Sequence, residues 1–187
     1  MLVSFINVGI LPFRLYFVLE NKIFKLKKVY LKMNHKINSL ISLVIILILF
    51  AIFSGWLSFV DKKFNLPQLL KYPLNLIGFL PLFEGSILRF WASSIFYKEK
   101  LKIITIRVPH KLISSGLYKY SRNPLYLGFI LMGAGFFLIF NSLSAFLLLI
   151  ILTIFINLYV KFHEEKLLEK AFEKEYLKYK KKVRRWI

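Results

Sequence analysis

Between His110 and Gly128 the chain reads HKLISSGLYKYSRNPLYLG, in which Lys111, Lys119 and Arg122 are interleaved with Tyr118, Tyr120 and Tyr126. Cations can hold an anionic group and aromatic faces can stack on a flat heterocycle, so the segment suits an anionic, nucleotide-like ligand. Ser114, Ser115 and Gly116 read as a turn, with Gly116 supplying a left-handed backbone that frees amide hydrogens to face a ligand. Asn123-Pro124 marks a helix start, because proline is tolerated at the first helical position. Free amides at such a terminus attract carboxylate or phosphate, and Arg122 adds a fixed charge beside them. The same arginine also fits a plainer role as a headgroup-level anchor, and the residues alone leave both readings open. Downstream stands Glu164-Glu165, adjacent carboxylates that can neutralise Lys161 or accept hydrogen bonds from a ligand's hydroxyl and ammonium groups.

The elements that must position these groups are apolar. Hydrophobic residues make up 58% of the 187 and mean hydropathy is +0.62, which together with apolar runs of membrane-spanning length marks an integral membrane protein. Residues 39–60 carry no charge over 22 positions, about the ~20 needed to cross a ~30 Å hydrocarbon layer as a helix. Further spans are expected at 73–97, 125–140 and 143–160, the last two forming a hairpin that turns at Asn141. Residues 61–72, with Pro67, read as a connecting loop. Glu84 and Arg89 fall inside the second span, where they are expected to pair, with Arg89 lining an entrance for lipid. From 161 to 187 the chain reads as an amphipathic cytoplasmic helix, with Leu168, Phe172, Tyr176, Tyr179 and Val183 on one face. By itself that stripe signals packing or membrane docking. The expected fold class is therefore all-α, with about four transmembrane helices in a domain over 39–187.

Charge orients the expected topology. The net charge of +19 would suggest nucleic acid in a soluble chain, but here the cations flank apolar spans and anionic lipid is the fitting counter-ion. No nucleic-acid partner is expected. Segments 1–38, 98–124 and 161–187 hold 7, 7 and 10 Lys and Arg, against three in 61–72. The positive-inside rule then places both termini and the motif loop in the cytoplasm. The absence of cysteine rules out a zinc–thiolate site and a catalytic thiol, and no metal is expected. Residues 1–38 form a basic leader with two readings: an interfacial helix, or a segment ahead of a translation start at Met33.

Taken together, His110, Leu112, Ile113, Gly116, Tyr118, Arg122, Pro124, Tyr126 and Gly128, then Glu164, Glu165, Phe172, Tyr176, Tyr179 and Val183, resemble in order and spacing the isoprenylcysteine carboxyl methyltransferase-like family of membrane methyltransferases, relatives of the phospholipid methyltransferases. LRFWA at 88–92 resembles that family's second core helix, so the resemblance covers about residues 75–187. It implies a methyltransferase that takes a lipophilic acceptor from the bilayer and binds S-adenosylmethionine through His110, Lys111, Leu112, Ile113, Tyr118, Arg122, Asn123, Pro124, Leu125, Tyr126 and Glu164. Glu165 is then the candidate base for an amine or hydroxyl acceptor, and Arg185 the candidate holder of an anionic one. Phospholipid amine methylation is an alternative within the enzymes, and a non-catalytic lipid-binding scaffold an alternative outside them. Three positions depart from the family pattern: Asn123 replaces histidine, Glu173 replaces glycine, and Val160 stands where prenylcysteine enzymes carry an arginine.

Overall fold

The computed structural model of the chain describes residues 13–70, 72–99, 109 and 111–187, with side chains from residue 35 onward. His110 and the first twelve residues of the leader lie outside the described residues. All regular secondary structure among the described residues is helical. The uncharged run of 39–60 lies inside α1 (Phe13–Lys63), an unbroken helix. A 3-10 turn, Leu74–Gly78, leads into α2 (Phe79–Lys98). Next come α3 (Pro124–Phe140) and α4 (Leu143–Tyr159). One π-helical turn, Val160–Glu164, carries α4 into α5 (Glu165–Lys182). Two helical runs, His35–Lys63 and Leu143–Lys182, are long and apolar enough to cross a membrane, and Pro124–Phe140 is a shorter apolar helix.

The closest packing joins α2 to α3, and small residues make it possible. Gly85 lies against Gly128, and Gly78 at the entry to α2 lies against Gly135, so the two helices run antiparallel along a glycine seam. A methyl group on Gly85 would come within 2.7 Å of the Gly128 carbonyl oxygen, and one on Gly135 within 2.7 Å of the Gly78 carbonyl oxygen. Apolar helices gain little hydrophobic free energy by leaving lipid for one another, so association relies on close backbone approach and interhelical hydrogen bonds. Such bonds tie α1 into the bundle. Ser39 donates to the Phe90 carbonyl at 2.9 Å and shares a further hydrogen bond with Ser93, while Ser58 donates to the Phe140 carbonyl at 2.9 Å.

The α3–α4 turn is built from polar caps. Asn141 adopts a left-handed conformation (φ 49°, ψ 47°), which asparagine tolerates better than most residues. Its Oδ1 accepts from the Leu69 and Leu70 amides, each at 3.0 Å. Asp61, at the end of α1, accepts from Ser142 Oγ at 2.6 Å and from the Ser144 amide at 3.2 Å. A carboxylate thereby sits at the N-terminus of α4, where the helix dipole favours it. These contacts gather residues 64–70 and the hairpin turn at one end of the bundle. The motif loop and α5 occupy the other.

The outward surface is apolar: Leu49, Phe83 and Phe155 are 60%, 68% and 63% exposed. A contiguous apolar exterior of this kind needs a nonpolar phase to cover it, and the protein is membrane-associated. One expectation is corrected here. Glu84 is exposed and makes no ion pair with Arg89, which is buried in the α2–α3 contact. Five residues correspond to about 140° around a 3.6-residue helix, so the two side chains leave opposite faces.

Candidate active site

A cleft opens where the motif loop, the first turn of α3 and the α4–α5 junction meet. It spans about 940 Å³ of non-atom space, part of which is open solvent. Pro109, Leu112, Ile113, Leu125, Val160, Leu167 and Leu168 supply apolar wall, and Phe96 of α2 closes the inner side. The polar groups on the wall are Lys111, Tyr118, Arg122, Asn123, Tyr126, His163, Glu164, Glu165, Tyr176 and Tyr179.

The loop takes its shape from one turn. Gly116 has φ +62°, a conformation that glycine adopts without the Cβ clash met by other residues. It opens the 3-10 turn Gly116–Lys119, which drives Tyr118 inward. Tyr118 is buried with Ala92 and Leu125, and its ring lies 5.8 Å from that of Phe96. Burial pushes the Tyr118 phenol well above the ordinary range, so it stays protonated. Its oxygen is fully buried and has no hydrogen-bond partner, and Arg122 Nε is orphaned in the same way. Buried polar atoms are rarely left unpaired; two of them on one cleft wall mark a place built to meet another polar group. At the start of α3, Asn123 provides no side-chain cap, so the first-turn amides, whose residues Leu125 and Tyr126 line the cleft, are uncapped donors.

The two adjacent glutamates have opposite fates, and the π-turn sets them. The Glu165 amide donates to the Val160 carbonyl, five residues back, adding a residue to the turn and shifting the register of α5; such turns recur at functional sites. Glu164 receives a 2.6 Å hydrogen bond from Tyr126 Oη. Burial raises its proton affinity, with the Tyr126 bond and the nearby His163 opposing. Glu165 is buried among cations: Arg185 Nε at 2.6 Å, Arg122 Nη2 at 3.2 Å and Lys180 Nζ at 3.5 Å. Burial alone would raise its pKa, but the Arg185 hydrogen bond and the charges of Arg122, Arg185 and Lys180 hold it below the usual carboxylate range.

The residues beyond α5 fold back as a strap. The Arg122 amide donates to the Arg184 carbonyl at 3.0 Å, and Asn123 Nδ2 donates to the Arg185 carbonyl at 3.1 Å. Trp186 Nε1 reaches Asn157 Oδ1 at 3.1 Å, and Tyr179 Oη reaches the Tyr118 carbonyl at 2.7 Å. Among the residues singled out from sequence, Lys111, Leu112, Ile113, Tyr118, Arg122, Asn123, Leu125, Tyr126, Glu164 and Glu165 are brought together around the cleft. Pro124 is buried behind the wall as the first residue of α3. Lys111 is on the rim, bonded to Glu99 at 2.7 Å. Arg185 is off the cleft, with its guanidinium bound to Glu165, so the separate roles expected for these two meet an ion pair instead. Sequence reasoning passed over Phe96, His163 and Leu167, and gave Tyr176 and Tyr179 a place in an apolar stripe and in the family motif but no role in the site. For the tyrosines the signal was their i, i+3 spacing on one face of the tail helix.

The described residues thus form a helical bundle with a cleft at one end, lined by a carboxylate bonded to a tyrosine and by buried polar groups without a hydrogen-bond partner. A family model described as phospholipid methyltransferase matches residues 76–175. The chain belongs to that family, and is accordingly a methyltransferase. Neither the curated proteins nor the solved structures yield a match.

Proposed function

We propose that the protein transfers a methyl group from S-adenosylmethionine to the amine of a membrane lipid, within a domain that crosses the bilayer four times and holds its cleft and both termini on the cytoplasmic side. The observation that carries the acceptor class is the distribution of charge. Arg122, Lys180 and Arg185 are all drawn to Glu165, while Glu164 faces the cleft with a tyrosine and no ion pair. Among the cleft-lining acidic groups Glu164 is the one without an ion pair, and it favours a cationic partner. A carboxylate acceptor would need a free cation there, and Val160 fills the wall at the position where prenylcysteine enzymes place one.

The lining fits the cofactor. Leu112, Ile113 and Leu125 offer apolar surface beside the Tyr118 ring for a heterocycle, the uncapped α3 amides suit a carboxylate, and the unpartnered Arg122 Nε supplies a donor. When bound, S-adenosylmethionine supplies a methyl group already activated on a sulfonium. The chain's work is to align donor and acceptor, an orientation effect worth several kcal/mol, and to exclude water beneath the strap and α5. A lipid ammonium must lose a proton before its nitrogen can attack. Glu164, its proton affinity raised by burial, takes that proton, and Tyr126 fixes its orientation.

Isothermal titration of the purified protein with S-adenosylhomocysteine tests the cofactor: saturable binding weakened by Tyr126→Ala and Glu164→Ala is expected, and no saturable binding would leave the non-catalytic scaffold reading in its place. Membranes given a methyl-labelled donor test the acceptor. Base-stable label on a lipid amine is expected, and base-labile label would transfer the assignment to carboxyl methylation of the isoprenylcysteine kind.

A further inference from the structure

Arg89 is the most exceptional buried group in the bundle. It is 6% exposed, and neither Nε nor Nη1 has a hydrogen-bond partner. Guanidinium is a pure donor that stays charged at any ordinary pH, and a buried charge without a partner is among the least stable arrangements in a fold. Arg89 lies nine residues before the end of α2 at Lys98, roughly 13 Å below the cleft end of that helix, inside the apolar layer. Ala92 and Phe96, which hold Tyr118, are three and seven residues further on, along the same helix face.

The surroundings are donors and rings. Tyr97, Tyr118 and Tyr126 lie close enough to interact electrostatically with Arg89, and Tyr118 Oη is itself buried and unpartnered. The described carboxylates nearby have other engagements: Glu164 is held by Tyr126, Glu165 by Arg185 and Arg122, and Glu84 points away. Across the seam the α3 backbone is bare, since a methyl group on Gly128 would come within 2.8 Å of the Arg89 amide nitrogen. Two orphaned guanidinium nitrogens thus lie on the face of α2 that further on carries Phe96, a cleft-wall residue packed on Tyr118, and no described carboxylate pairs with them.

We propose that Arg89 and Tyr118 form an anion subsite on the membrane side of the cleft, where an anionic oxygen group of the lipid acceptor is held. Phosphate and carboxylate share the chemistry that a guanidinium and a phenol recognise. The subsite's place in the acceptor's path rests on the methyl-transfer reading above, with the charged headgroup anchored by Arg89 and its outer end presented toward Glu164. Depth orders the two: the anchoring group is the one nearer the bilayer interior.

The test uses single-chain probes titrated into the full-length protein in maltoside micelles saturated with S-adenosylhomocysteine: dodecyl phosphate, laurate and dodecanol. Saturable binding of dodecyl phosphate or laurate, absent for dodecanol, is expected. The tighter anion identifies the source as phosphate or carboxylate. Arg89→Gln should weaken that binding at least tenfold, Arg89→Lys should restore part of it, and S-adenosylhomocysteine affinity should stay within twofold of wild type. Should Arg89→Gln fail to fold, Tyr118→Phe, which removes one hydroxyl, must still lose severalfold in anion binding. Equal binding by wild type and these variants, or no saturable binding of either anion, overturns the subsite. Failure of S-adenosylhomocysteine to bind wild type would strike the methyl-transfer reading instead, with the anion titrations scored separately.

Discussion

Removing the Glu165 carboxylate should release the strap and leave the bundle intact. In Glu165→Ala three cations lose their shared partner, and they do not lose equally. Arg122 and Glu165 side chains are 9% and 5% exposed and 3.2 Å apart, where unit charges interact by about 5 kcal/mol at an effective dielectric of about 20. Lys180 is 37% exposed, and its share is at most about 1 kcal/mol. Breaking a buried pair by removing one partner costs about 3–5 kcal/mol, which is at least two powers of ten in the equilibrium between docked and undocked strap. The reporter is the Arg122 amide, which donates to the Arg184 carbonyl. Hydrogen exchange should show its protection falling a hundredfold or vanishing, while α2–α3 seam amides keep theirs. Acid should do the same to wild type. The folded pKa of Glu165 is depressed, so its stabilisation is present above the ordinary glutamate pKa and is lost as pH falls through the lower folded value. Unchanged Arg122 protection in Glu165→Ala, or an equal loss throughout the bundle, would refute the reasoning.

Substitution at the glycine seam should act on the whole fold: Gly128→Val places side-chain atoms where even a methyl lies 2.8 Å from the Arg89 amide, and size-exclusion chromatography in detergent should show loss of the monodisperse species. Glu173 sits inside α5 with φ 38° and ψ −115°, a strained backbone of the kind that costs about 1–3 kcal/mol in a non-glycine residue. Glu173→Gly should raise the resistance of the 173–187 segment to proteolysis by severalfold at unchanged S-adenosylhomocysteine affinity. Asp61→Ala leaves Ser142 and the Ser144 amide at the start of α4 without their acceptor, which should cost about 1–3 kcal/mol and lower the thermal midpoint in detergent. Lys111→Ala breaks an exposed pair with Glu99 worth about 0–1 kcal/mol, and the thermal midpoint should barely move.

Periodicity and punctuation made the helices legible, because each is a local property. An uncharged run is long enough to be a span, Asn141-Ser142 interrupts the apolar stretch 125–160, and Pro124 suits a first helical turn. The tail was harder. A regular heptad-like stripe through Leu168, Phe172 and Tyr176 reads as one straight face, yet the Glu173 backbone leaves helical geometry midway, and Leu168, Tyr176 and Tyr179 reach the cleft without Phe172. The tetrapeptide HEEK gives no warning that a π-turn will separate Glu164 from Glu165, since a single i→i+5 bond depends on how α4 is held against its neighbours.

By itself the sequence determined an apolar, all-helical chain, a basic aromatic loop at one helix start, and a motif order shared with membrane methyltransferases. Those features come from composition and from residues close together in the chain. Only the tertiary structure decided which charges remain free. Arg185 meets Glu165 across 20 intervening peptide bonds and Arg122 meets it across 43, so their mutual neutralisation is a matter of docking. The groups left over, Glu164 facing the cleft and Arg89 buried at the α2–α3 seam, are a remainder of long-range pairing. Electrostatic partners are chosen by distance in space, and no local pattern in the chain records that distance.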